Sequence, residues 1–295
     1  MISDYRCIYC IMKSYGNRLE KADKPAETKA KFTHDMLRVL NEEWNGISAP
    51  DCARDIQNLY CSLINDPDPF REAKRISNDT VLEMYDDLKK KVSSSGNPFL
   101  TSLKLAIAGN IIDFAIHDYC DLEGTIEKVL NSDFAIDHSV QLRKALKEAE
   151  KILYIGDNAG EIVFDKLFIS EIAHPGLVYS VRGAPVLNDA TMEDAEYTGI
   201  TSITKVISSG TDAPSTILAR SGDEFRENFE KADVIISKGQ GNLEGLISDA
   251  DRRIFFLLMV KCDVIAEYLN VSKGDYVVYN AVLDGAEKHN KENAL

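Results

Sequence analysis

Apolar positions change their spacing part-way along the chain. In DMLRVLNEEW (35–44), DCARDIQNLYCSLI (51–64), VLEMYDDLKKKV (81–92) and LTSLKLAIAGNIIDFAI (100–116) they recur at i, i+3, i+4 and i+7. That is the period of helices with one buried side. Asp51 after Pro50 is a candidate N-cap, and Asp66-Pro67-Asp68-Pro69 and Gly96-Asn97-Pro98 read as breaks. No pair of strands is expected within residues 20–149.

From residue 150 onward short apolar runs alternate with helix-like segments. The runs are KILYIG (151–156), LVYSVR (177–182), KVISSG (205–210), DVIISKG (233–239), RIFFLLMV (253–260) and DYVVYNA (275–281), most of them rich in β-branched or aromatic residues. Such alternation implies parallel strands covered by helices on both faces. The predicted fold class is α/β: a helical N-terminal domain (1–149) followed by a doubly wound, mostly parallel sheet domain (150–295). The tail from Glu287 to Leu295 is polar and expected to fray.

Composition narrows the partners. The 34 basic and 48 acidic residues leave a formal charge of −14, a field that repels nucleic-acid backbones. A small phosphorylated ligand would need a cation and local lysines to invert that field. No apolar stretch approaches a membrane span, and MISDYRCIYC does not resemble a secretory signal, so a cytoplasmic protein is expected. The six cysteines (7, 10, 52, 61, 120, 262) are too scattered for a disulfide scaffold and fit reduced thiols.

Ligands of a doubly wound sheet bind beyond the carboxyl ends of its strands. The loops there read Gly-Asp-Asn-Ala-Gly-Glu (156–161), Arg-Gly-Ala-Pro-Val-Leu-Asn-Asp (182–189), Ser-Lys-Gly-Gln-Gly-Asn (237–242) and Lys-Cys-Asp (261–263). Asp157, Asn158 and, one crossover later, Asp189 offer hard oxygen ligands suited to Mg²⁺ or Mn²⁺. The competing reading makes Asp157 or Asn158 the cap of a helix starting at Ala159, and Asp189 the cap of one starting at Ala190. Glu161 is either a dipole partner in a first helical turn or a general base facing metal-bound water. Lys238, before Gly239-Gln240-Gly241-Asn242, is a candidate phosphate-binding lysine; Lys261 is either a second one or a solvated side chain. Upstream, Asn110 and Asp113 share one helix face inside an apolar run and are either satisfied structurally or face a cleft that binds a ligand hydroxyl. Cys7-x-x-Cys10 is either a metal or redox pair or a pair of small core residues.

Three signatures are missing: a Gly-x-Ser-x-Gly elbow, an Asp-x-Asp after the first strand, and a Gly-x-Gly-x-x-Gly in the first βα turn. Their absence argues against a serine hydrolase, an aspartyl-phosphate enzyme of that type and a dinucleotide-binding domain.

Gly-Asp-Asn-Ala-Gly-Glu, Val-Leu-Asn-Asp, Ser-Lys-Gly-Gln-Gly-Asn and the upstream Ala-Gly-Asn-Ile-Ile-Asp, in their order along the chain, resemble the metal-dependent damage-control phosphatase family. The N-terminal Cys-x-x-Cys is similar to that of its stand-alone archaeal and bacterial members. The resemblance covers essentially the whole chain. It implies a helical domain packed on a Rossmann-like α/β/α sandwich, with a divalent cation (Mg, Mn, Ni or Co) in the cleft. It places the metal ligands on Asp157, Asn158 and Asp189, substrate-facing groups on Asn110 and Asp113, and phosphate-facing lysines on Lys238 and Lys261. Asp157, Glu161 and Lys238 are then the candidate catalytic residues, and Arg182 is a further group to position the organic part. The expected activity is a hydrolase: a metal-dependent phosphomonoesterase acting on small phosphorylated metabolites, sugar phosphates or damaged or surplus cofactor-precursor phosphates. The alternatives are a metal-dependent sugar-phosphate binder with little turnover and a SAM-dependent carboxyl methyltransferase. The latter also lacks a glycine-rich loop after the first strand.

Overall fold

The computed structural model describes residues 4–43, 49–109 and 122–285. Helices α1 (Tyr5–Lys21), α2 (Ala26–Glu43), α3 (Ala49–Ile64), α4 (Arg71–Ser94), α5 (Pro98–Ala108) and α6 (Leu122–Asn131) come first. Both predicted breaks fall between helices. The second is built as expected: Pro98 opens α5 and the Asn97 side chain accepts from the Leu100 N–H. Asp51 is not a cap, because α3 already begins at Ala49; its carboxylate instead pairs with Arg220 at 2.7 Å.

The remainder alternates strands and helices: β1 (Ile136–Asp137), α7 (Ser139–Glu148), β2 (Ile152–Ile155), α8 (Glu161–Ile172), β3 (Leu177–Val181), α9 (Met192–Tyr197), β4 (Lys205–Ser208), α10 (Asp223–Lys231), β5 (Val234–Lys238), α11 (Gly239–Leu246), β6 (Ile254–Met259), α12 (Asp263–Leu269) and β7 (Tyr276–Tyr279). All six predicted strands are present. The sheet order is β1-β7-β6-β5-β2-β3-β4; every pairing is parallel except β6 with β7. Strand β2 lies between β3 and β5: the chain runs outward through β3 and β4, then crosses back to place β5 on the other side of β2. This is the topological switch point where open α/β sheets place their ligands.

The sheet separates two apolar layers. On one face Ile152, Tyr154, Tyr179, Val234, Ile236 and Leu257 pack with α4, α5, α6 and α8. On the other, Leu153, Ile155, Ile235, Phe256 and Leu258 pack with residues of α10, α11 and α12. A third cluster, including Tyr15, Phe32, Met36, Ile56 and Tyr60, belongs to α1–α3 alone.

The core boundaries therefore differ from a division at 149/150. Strand β1 joins the sheet from before that point, and Leu142 and Leu146 of α7 sit in the first sheet layer. Helices α4–α6 share that layer as well, packing on one another and, through α4 and α5, on α8. Among the described residues, only α1–α3 have a hydrophobic cluster of their own. Among the described residues no helix is long and apolar enough to cross a membrane.

Candidate active site

Loops 156–160 and 182–191 meet the start of α11 beyond the ends of β2, β3 and β5. Asn158 and Asp189 form an isolated antiparallel bridge, and the Ala190 N–H donates to the Asp157 carbonyl at 2.8 Å. The first two loops thus lie side by side, held by their own backbones. Asp157, Asn158 and Asp189 are all buried at this junction.

Arg182, 3% exposed, fills the space between the carboxylates. Its Nε donates to Asp189 Oδ2 at 2.6 Å, and its Nη2 donates to Asp157 Oδ1 at 3.4 Å and to Asn242 Oδ1 at 3.0 Å. Two acidic groups from neighbouring crossover loops therefore share one cationic partner. Arg182, expected to position the organic part of a ligand, instead bridges the acidic pair. Asn242, in the first turn of α11, ties that arrangement to β5 and the first loop, donating to the Lys238 and Gly156 carbonyls at 2.7 and 3.2 Å.

The Asn158 amide donates to Asp157 Oδ2 at 2.9 Å and to Glu161 Oε2 at 3.2 Å. Glu161 Oε1 accepts from Lys238 Nζ at 2.7 Å. Lys238 is completely buried and also donates to Asp165 Oδ1 at 2.5 Å and to the Ala106 carbonyl at 2.8 Å. Its three donors are thus all engaged within the protein. Burial alone would depress its pKa, but the Asp165 and Glu161 charges outweigh that and hold it above the ordinary lysine value. This corrects the expectation of a phosphate-facing lysine. The reason is strand parity: Val234, Ile236 and Lys238 alternate with Ile235 and Ser237, so Lys238 points to the face covered by α5 and α8.

Asp165 completes the network by accepting from the Tyr154 and Tyr179 hydroxyls at 2.6 and 2.9 Å. Burial pushes its carboxyl up to about 6 despite Lys238. Asp157 is raised well above the usual carboxylate range by burial first, then by the neighbouring charges of Asp189 and Glu161; Arg182 and Lys261 oppose the shift. Four buried carboxylates (Asp157, Glu161, Asp165, Asp189) thus stand against two buried cations, Arg182 and Lys238. Part-exposed Lys261 adds a positive field at Asp157.

Two glycines make this approach possible. Gly239 has φ +79°, and a Cβ there would lie 1.9 Å from Asp157 Oδ2. At Gly156 a Cβ would lie 2.2 Å from the Tyr179 hydroxyl.

The capping alternative does not hold. Helix α8 starts at Glu161 behind Gly160, whose N–H donates to the Asn78 side chain at 2.7 Å. Helix α9 starts at Met192 behind a Thr191–Asp194 capping box. Neither Asp157, Asn158 nor Asp189 caps the helix that follows it. Asn110 and Asp113 lie outside the described residues. Cys7 and Cys10 are free thiols on α1 that line, with Cys262, a cleft of about 540 Å³. Burial pushes the Cys7 thiol up to about 11, opposite to what a thiolate ligand requires.

Asp157, Asn158 and Asp189 are the residues that could hold a cation. Two carboxylates and an amide are hard oxygen donors suited to Mg²⁺ or Mn²⁺, and the local excess of negative charge matches one dication. The set includes only two acidic side chains, and among the described residues no three His, Cys, Asp or Glu side chains are grouped so as to hold a metal ion. The fit therefore rests on the Asn158 amide together with the Asp157 and Asp189 carboxylates, with Arg182 as their bridge.

Several contributing residues escaped the sequence reading. Asp165 and Asn242 join the networks just described, and Lys74 and Asn78 of α4 are buried against the site loops. Their signal was available as polar residues at helix positions that the apolar period reserves for the core.

The chain matches the model of the damage-control phosphatase ARMT1-like domain over residues 3–277. It is 38% identical to a damage-control phosphatase of Pyrococcus horikoshii over 92% of this chain and 96% of that protein. It is 31% identical to a damage-control phosphatase of Archaeoglobus fulgidus, over 82% and 86% of the two chains. The fold is similar to the crystal structure of a DUF89 family protein from P. horikoshii, with a TM-score of 0.86 at 35% identity, covering 95% of this chain and 99% of that one. With that family model matched over nearly its whole length and such identity to a relative, this chain belongs to the ARMT1-like damage-control phosphatase family.

Proposed function

We propose that the chain is a metal-dependent phosphomonoesterase acting on small phosphorylated metabolites, namely sugar phosphates or damaged or surplus cofactor-precursor phosphates. The observation that carries this reading is the meeting of Asp157 and Asp189, from two adjacent crossover loops, on a single cationic partner at the sheet's switch point. Relatives named as damage-control phosphatases support the phosphatase class.

Asp157, Asn158 and Asp189 would hold a dication such as Mg²⁺, Mn²⁺, Ni²⁺ or Co²⁺. When bound, that ion supplies Lewis-acid polarisation of phosphoryl oxygens and acidifies water. The chain's own residues do the rest. Glu161, anchored by Lys238, orients the Asn158 amide, so both act through another group as positioning residues. Arg182 keeps the two carboxylates aimed at a common point. Lys261, part-exposed and felt electrostatically by Asp157, supplies positive potential for an incoming phosphate against the chain's net charge of −14. Asn110 and Asp113 keep the role the resemblance implies, contact with the organic part.

The test is hydrolysis of p-nitrophenyl phosphate with Mn²⁺, Co²⁺, Ni²⁺ or Mg²⁺, with and without chelator, by the unaltered chain and by Asp157→Ala. Activity should require the ion and fall by at least about 100-fold in the variant. Chelator-resistant turnover, or full activity in Asp157→Ala, rejects the proposal. Tight product retention after a single turnover would point to the binding protein instead.

A further inference from the structure

Helix α4 buries a stripe that is polar at one end. Val81, Leu88 and Val92 continue it as ordinary core residues, whereas Lys74 and Asn78, one turn apart, are 3% and 1% exposed. A buried amide is costly unless its donors and acceptor are engaged. Asn78 Oδ1 accepts from the Gly160 N–H at 2.7 Å, and its Nδ2 donates to Asp194 Oδ1 at 2.9 Å. Gly160 closes the loop carrying Asp157 and Asn158. Asp194 Oδ2 in turn accepts from the Thr191 N–H and hydroxyl, both at 2.9 Å, two residues beyond Asp189. Lys74 backs this arrangement, with its Nζ 3.0 Å from Asp68 and 3.6 Å from Asp194.

One amide therefore touches both loops that carry the candidate ligands, directly on one side and through a single carboxylate on the other. The partners also dictate which atom goes where: a backbone N–H needs the oxygen and a carboxylate needs the NH₂. Aspartate would keep the first contact but set a second carboxylate against Asp194. Alanine would lose both. Gly160 fits this reading, since at φ +76° an added Cβ would sit 3.1 Å from Ser77.

We propose that Asn78 is a positioning residue that sets the spacing of the two ligand loops, and with it the affinity of the site for a dication. This rests on the metal reading above and extends it to the helical half of the molecule.

The experiment is calorimetric titration of MnCl₂ into the unaltered chain, Asn78→Ala, Asn78→Asp and, as a control on the exposed side of α4, Lys90→Ala. Circular dichroism and the metal-free thermal midpoint are recorded in parallel. Mn²⁺ affinity should fall by about 10–100-fold in both Asn78 variants, as when the support of a metal ligand is removed, and stay unchanged in Lys90→Ala. If Asn78→Ala fails to fold, the near-isosteric Asn78→Asp provides the comparison. A lowered midpoint with unaltered Mn²⁺ affinity would show Asn78 to be structural only and overturn this proposal while leaving the metal reading intact. No Mn²⁺ binding by the unaltered chain would remove both.

Discussion

Lys238 shows how one side chain can lie at the functional edge and still serve the interior. With its ammonium enclosed by Glu161, Asp165 and the Ala106 carbonyl, removing the charge strands two buried carboxylates. Lys238→Met should therefore destabilise the fold by about 3–5 kcal/mol in urea unfolding, the range for breaking one side of a buried ion pair. A loss within experimental error would mean that the ammonium is not what holds Glu161 and Asp165 in the interior. Asp165 also gives a pH signature. Its folded-state value of about 6 lies above the ordinary 3.8, so the native state binds the proton more tightly than the unfolded chain. Its contribution is complete below about 3.8, declines as pH rises toward about 6, and is flat above that. Unfolding free energies measured across this window should slope downward with pH in the unaltered chain and lose that component in Asp165→Asn.

The elements were legible in proportion to how strongly burial marked them. Strands buried on both sides read as continuous apolar runs, and all six predicted ones formed with ends shifted by a residue or two. Strand β1, of two residues, is too short to show periodicity, so the sheet begins earlier than the sequence suggested. The ligand loops were legible because polar and glycine residues follow each buried strand. The direction of Lys238 was open to reading from strand parity and the burial of Asn78 from the apolar period of α4, but its partners Gly160 and Asp194 were not, lying 82 and 116 residues away. The start of α11 is the tightest element of the site. Gly239→Ala should strain a left-handed backbone, costing about 1–3 kcal/mol, and push Asp157 aside. Loss of Mn²⁺ binding alongside a lowered urea midpoint is the expected pair of results. Unchanged binding would mean that Asp157 moves without consequence.

At the scale of the whole molecule, the excess of buried negative charge should make stability depend on cations. At a Mn²⁺ concentration about 100-fold above the dissociation constant, mass action adds roughly 2.7 kcal/mol. For a chain of this size that is about 4 °C in thermal midpoint. Chelator should reverse the gain, and Asp157→Ala should not show it. A rise of equal size in Asp157→Ala would place the stabilising ion elsewhere. The sharing of one apolar layer between α4–α6 and the sheet has its own consequence for how the gene can be cut. A fragment ending at residue 149 would carry the four helices α4–α7 with their greasy sides turned to water, and its complement would keep only α8 over that sheet face. Both halves should precipitate when expressed singly, so the two ligand loops and the helix that braces them are inherited as one indivisible unit.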